Sequence, residues 1–79
     1  MVTVQLFASY AELVGSHSIE VPVNPGDRVA DLLGNLRNLP SASLLPRTPL
    51  VAVNRTFASE HTPVSVGDEI ALIPPVAGG

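Results

Sequence analysis

From its second residue the chain alternates, Val2-Thr3-Val4-Gln5-Leu6-Phe7, the period-two pattern of a half-buried strand. Val2, Val4 and Leu6 share one face; Thr3, Gln5 and Phe7 share the other, so Phe7 falls on the polar side. Ala8 to Val14 is mixed in pattern and predicts a single helical turn around Ala11-Glu12-Leu13, stopped at Gly15-Ser16. In a second strand Ile19, Val21 and Val23 lie together, with Glu20 and Pro22 opposite. A proline cannot donate to a ladder, which puts this strand at a sheet edge. Asn24-Pro25-Gly26 then reads as a turn. The strong helical pattern follows: Val29, Leu32, Leu33, Leu36 and Leu39 return on one face at a 3.6-residue period, which makes them core. Asp27 is placed to cap this helix and Asp31 to sit near its positive end. Gly34 inside it costs about 1 kcal/mol relative to alanine, and Leu39-Pro40 ends it.

Pro40 to Pro49 carries three prolines and predicts a loop pinned to the body by Leu44-Leu45. Leu50-Val51-Ala52-Val53, almost wholly apolar, reads as an interior strand. Asn54-Arg55 makes a hairpin turn into a brief edge strand, Thr56-Phe57-Ala58. Ser59 to Val66 is irregular, and Gly67-Asp68 turns the chain into Glu69-Ile70-Ala71-Leu72-Ile73. There Ile70 and Leu72 face inward, Ala71 and Ile73 outward. A strand pair, one helix and shorter strands around one aliphatic core form an α+β pattern. The expected arrangement is a β-grasp: a mixed sheet of about five strands with one main helix packed across it, the last strand returning beside the first. Residues 1–75 form the domain and 76–79 a flexible tail.

Composition narrows the chemistry. A chain of 79 residues buries a thin core, and 46% hydrophobic residues with three aromatics make it an aliphatic one. With no cysteine there is no disulfide, thiolate metal site or cysteine nucleophile, in keeping with a cytoplasmic location. No stretch approaches the roughly 20 apolar residues needed to cross a bilayer, so no membrane role is expected. Net charge is −3 and the four basic residues, Arg28, Arg37, Arg47 and Arg55, are scattered, which disfavours nucleic-acid binding. The chain has no lysine; a bias toward arginine accounts for that more readily than a functional demand does. His17 and His61 are isolated, and no metal site is expected. Glu12, Glu20, Asp27, Asp31, Glu60, Asp68 and Glu69 sit mostly at turns, caps and exposed strand positions. No phosphate-cradling loop, nucleophile elbow or histidine-paired serine occurs.

The chemically distinctive stretch is the end, Ile73-Pro74-Pro75-Val76-Ala77-Gly78-Gly79. Pro74-Pro75 lacks two ladder donors and stiffens the exit from the last strand. The two glycines have no Cβ, so the terminal carboxylate of Gly79 can thread a channel that side chains would block. From Pro75 the tail reaches roughly 13 Å beyond the body at about 3.3 Å per residue. A carboxylate must be activated to become an acyl donor. An anhydride with AMP, made from ATP by another enzyme, would accept sulfur to give a thiocarboxylate.

Leu6-Phe7-Ala8, Glu12-Leu13-Val14-Gly15, Val51-Ala52-Val53-Asn54-Arg55, Gly67-Asp68-Glu69-Ile70-Ala71 and the Pro-Pro-Val-Ala-Gly-Gly terminus, in this order, resemble the MoaD/ThiS sulfur-carrier family. The likeness is greatest to the MoaD-type, ubiquitin-like small subunits of molybdopterin synthase, and it covers essentially the whole chain. Ala11 departs from the family, where arginine is common, and so does Leu72-Ile73, where aromatics are common. Both departures bear on surface contacts.

The resemblance implies a β-grasp fold and adenylation of Gly79 by a MoeB-type, E1-like enzyme using ATP and Mg. Sulfuration by a sulfur donor would follow, then insertion of the tail into a MoaE-type large subunit. There the thiocarboxylate would donate sulfur to cyclic pyranopterin monophosphate, forming the molybdopterin dithiolene in molybdenum cofactor biosynthesis. Catalytic side chains would belong to the large subunit, in a heterotetramer. Phe7 and Ile73, on the outward faces of strands expected to be neighbours, and Phe57, on a short edge strand near them, would dock the partner together with Pro74, Pro75, Val76, Ala77 and Gly78. Two other readings compete: a carrier for thiamine, cysteine or tRNA thiolation, and a passive ubiquitin-like binding module whose tail is never activated.

Overall fold

The computed structural model describes residues 1–46 and 48–75. Five strands, β1 (Val2–Leu6), β2 (Ser18–Val21), β3 (Leu50–Val53), β4 (Thr56–Ala58) and β5 (Ile70–Ile73), make one mixed sheet in the order β2-β1-β5-β3-β4. At its centre β1 and β5 run parallel, Val4 opposite Ile70 and Leu6 opposite Leu72; every other pairing is antiparallel. Strands in the middle of a sheet with one face under a helix bury alternate side chains completely. Val4, Ile70 and Leu72 are accordingly 0% exposed. The last strand does return beside the first, β3 is interior and β4 is an edge, as the patterning predicted.

Across one face lies α2 (Val29–Arg37), burying Val29, Leu32 and Leu36, with Leu33 and Leu39 packed against the same core. Its start differs from the expectation. Asp27 does not cap it: its carboxylate accepts from the Asn24 amide at 2.9 Å and closes the turn before the helix. Arg28 holds the N-cap position, and Asp31 reaches back from the first turn to accept the Arg28 amide at 2.9 Å. The acidic residue inside the helix thus satisfies the donor that a preceding side chain normally would, and it sits at the positive end of the dipole.

A second, shorter helix accompanies α2. Residues Ala8–Val14 form α1, seven residues instead of a single turn, with Tyr10 and Ala11 buried. No side chain caps its start and its first turn has no acid, so packing holds it. It stops at Gly15, whose φ of 82° is left-handed and whose amide donates to the Ala11 carbonyl at 2.8 Å. The loop after α2 begins with a 3₁₀ turn, Pro40–Ala42. Here the expected leucine pair divides. Leu45 is buried with Ala42, while Leu44 is 67% exposed, because a turn at these residues points only one of two successive side chains inward.

Candidate functional site

The helices cover one face of the sheet. The other face is open, and period-two alternation sends Gln5 and Phe7 from the β1 segment, Ala71 and Ile73 from β5, and Ala52 from β3 onto it, with Arg55, Phe57 and Glu69 at its side. Small residues at Ala52 and Ala71, paired across β3 and β5, leave a depression between larger neighbours. The resulting groove has a volume of about 280 Å³. Phe7 and Phe57 remain 46% and 71% exposed, and Leu50, opposite Ile73 in the ladder, 53%. Three large apolar side chains left largely in water on this face form an apolar patch.

The three outward side chains singled out from the pattern, Phe7, Phe57 and Ile73, therefore line one groove. Pro74 continues β5 half-buried and Pro75 is exposed. Val76, Ala77, Gly78 and Gly79 lie outside the described residues. Gln5 and Ala71 were read as outward-facing without being singled out for the site, and the outward positions of Leu50 and Ala52 were not read from the sequence. In β3 four successive apolar residues give no alternation to read, and the faces emerge only from the register with β5. Of the two departures from the family pattern, Ala11 is 8% and Leu72 0% exposed, so both are core substitutions; Ile73 alone is presented at the surface.

The polar end of the groove is built by the β3–β4 hairpin. Asn54 adopts φ 52° and Arg55 φ 69°, the paired left-handed conformations of a tight hairpin turn. The Asn54 side chain donates to Asp68 at 3.2 Å and accepts the Glu69 amide at 2.9 Å, and its own amide donates to the Glu69 carbonyl at 2.7 Å. Two segments that carried the family resemblance separately, Asn54-Arg55 and Asp68-Glu69, are thereby locked together at the entry to β5. Arg55 Nε lies 3.6 Å from Glu69 Oε1 in an exposed pair that contributes little to stability. The His61 ring lies 3.5 Å from the Glu60 carboxylate, also exposed. Among the described residues no three His, Cys, Asp or Glu side chains gather as a metal site, and no helix is long and apolar enough to cross a membrane.

A mixed sheet backed by helices, with its first and last strands parallel at the centre, defines a ubiquitin-like β-grasp domain. SAMP1 from Haloferax volcanii has this fold with a TM-score of 0.82 at 32% identity, covering 99% of this chain and 98% of that one. A chain in the complex of subunits 1 and 2 of molybdopterin-converting factor from Helicobacter pylori 26695 shares the fold at a TM-score of 0.70 and 24% identity, covering 99% and 97%. The chain belongs to the ThiS family, which matches residues 4–79. It is also similar to the molybdopterin synthase sulfur carrier subunit of Escherichia coli (strain K12), 33% identical over 81 residues spanning 100% of both chains.

Proposed function

We propose that the chain is the sulfur carrier subunit of a molybdopterin synthase and works through the carboxylate of Gly79. One observation carries this reading: the similarity to subunits of that name runs the full length of both chains, and the family match extends to Gly79 itself. The same relatives favour this acceptor over thiamine, cysteine or tRNA thiolation, and a carrier over a passive binding module.

In the first step the Gly79 carboxylate attacks the α-phosphorus of ATP on a MoeB-type activating enzyme that supplies magnesium. Pyrophosphate leaves and an acyl-adenylate forms. A sulfur donor then displaces AMP, leaving a terminal thiocarboxylate. Each charged chain holds one transferable sulfur, so a dithiolene on cyclic pyranopterin monophosphate consumes two charged chains. The chain contributes delivery rather than acid–base catalysis: β5 aims Pro74-Pro75 out of the sheet centre, and the groove beside it docks a MoaE-type large subunit whose side chains perform the chemistry. Phe7, Phe57 and Ile73 form the docking surface, and residues 76–79 enter the partner.

Intact mass after incubation with ATP, magnesium, a MoeB-type enzyme and a sulfur donor tests the proposal. The expected gain is one oxygen exchanged for sulfur, absent from a chain lacking Gly79. Addition of the large subunit and cyclic pyranopterin monophosphate should then return the carboxylate and yield molybdopterin. An unchanged mass with an activating enzyme that charges its own carrier would overturn it.

A further inference from the structure

We infer that the open face of the sheet carries a socket for one large apolar side chain of the partner, and that Ala52 and Ala71 determine which partners fit it. The inference deepens the docking proposed above and rests on it for the identity of the partner, a MoaE-type large subunit.

The register sets five residues in one straight row across the sheet. Ser18 lies opposite Gln5, Gln5 opposite Ala71, Ala71 opposite Ala52, and Ala52 opposite Phe57. Paired residues share a face, and the sequence neighbours of Gln5, Ala71 and Ala52 are all buried, so the row projects from the face that the helices leave open. At its middle the sheet is paved only by two methyl groups. The rows on either side are tall. Toward the exit of β5 stand Phe7 and Ile73, with Leu50 beside Ile73; in the other direction stand Glu69 and Arg55. Glu69 and Ile73 are four residues apart along the chain, roughly 13 Å, and Gln5 and Phe57 are three strand spacings apart, roughly 14 Å. Side chains lean into this frame from all four sides and leave the groove of about 280 Å³. A helix about 10–12 Å across cannot settle into it, but one side chain projecting from such an element can.

The lining decides the chemistry of that side chain. Floor and tail-side wall are apolar, and the two charges of the frame are paired with one another, Arg55 Nε lying 3.6 Å from Glu69 Oε1. Gln5 is neutral. A charged side chain entering the socket would lose water without gaining a counter-ion, whereas a neutral wall beside an apolar floor complements an apolar one. A small-molecule ligand fits less well. Such sites usually measure about 300–1,000 Å³ and hold converging polar groups, and no polar or charged residue is buried among the described residues. Continuity places the partner: Ile73 is a wall of the socket and also the last strand residue before Pro74-Pro75, so a subunit that receives the chain beyond β5 stands against that wall.

Binding to a MoaE-type large subunit, measured by titration calorimetry, tests the socket with three variants of the full chain. Ala71→Leu and Ala52→Leu fill it from the floor; both side chains point away from the core, so the urea midpoint should be no lower than the parent's. Ser18→Leu adds the same bulk to the same row, beyond Gln5 and outside the frame. The two alanine variants should bind at least about 30-fold more weakly, the loss expected when a desolvated anchor is excluded, and Ser18→Leu within about threefold of the parent. Alanine methyl signals of the isotope-labelled parent report insertion directly: those of Ala52 and Ala71 should shift when the large subunit is added and stay unchanged when the chain alone is concentrated. Parent-like binding by Ala71→Leu and Ala52→Leu would overturn the socket and leave the docking proposal standing. An equal loss in Ser18→Leu would do the same, since bulk anywhere on the face would then be the cause. Methyl shifts on concentration alone would put a second copy in the socket and overturn the partner assigned here. A parent chain that fails to bind a large subunit competent for its own carrier would defeat the docking proposal itself, and the inference with it.

Discussion

Arg55 is an L-residue at a φ of 69°, in the second position of a hairpin turn that glycine occupies most easily. Left-handed backbone costs a residue with a Cβ roughly 1–2 kcal/mol. Glycine gives back part of that relief through the entropy of the unfolded chain, roughly 0.5–1 kcal/mol. The Arg55 side chain is 86% exposed and its pairing with Glu69 is correspondingly weak. Arg55→Gly should therefore stabilise the domain by about 0.5–1 kcal/mol, raising the urea midpoint without changing the m-value; a lowered midpoint would show that the ion pair outweighs the strain. Asn54 was readable as a turn residue because asparagine tolerates this conformation, and the hairpin was placed correctly from it. The strain at Arg55 was not readable, since nothing in an arginine announces a left-handed backbone. Nor was the second role of Asn54, whose bonds to Asp68 and Glu69 span 14 and 15 residues of sequence.

At the scale of elements, legibility followed periodicity. The leucine stripe located α2 within two residues at each end, because burial of one face dominates helix formation in a small domain. The α1 segment has only Tyr10 and Ala11 buried in its seven residues, so its pattern was too short to distinguish two turns from one. Asp27 was misassigned because a carboxylate just before a helix can serve the helix or the preceding turn, and the Asn24 amide won. Gly34 allows a direct test of how much propensity matters inside α2. A Cβ built there meets nothing within 4 Å, and its φ is not left-handed. Gly34→Ala should stabilise the protein by about 1 kcal/mol, the helix-propensity difference, measured as a rise in both thermal and urea midpoints. Loss of stability would reveal crowding that the open space around this position does not suggest.

In the whole molecule, an aliphatic core hides one face of the sheet under two helices and leaves the other face with its aromatic side chains in water. The position of Phe7 and Ile73 on that face was legible from period-two alternation. The groove between them was not, because it is created by Ala52 and Ala71 meeting across a β3–β5 pairing that only the folded register supplies. Phe57 separates stability from docking most cleanly: on edge strand β4 it is 71% exposed, so truncation removes little that the isolated domain buries. Phe57→Ala should shift folding stability by no more than about 0.5 kcal/mol. An aromatic anchor desolvated at an interface is worth about 2 kcal/mol or more, so the same substitution should weaken binding to a MoaE-type large subunit by roughly 30-fold. Titration calorimetry with that subunit, alongside urea unfolding of the isolated chain, reads both quantities. Weakened binding with unchanged stability would place Phe57 in the docking surface. Unchanged binding would confine the contact to the β5 end of the groove, where Ile73 and Pro74 lead into the tail, and would leave Phe57 as an exposed residue of an edge strand.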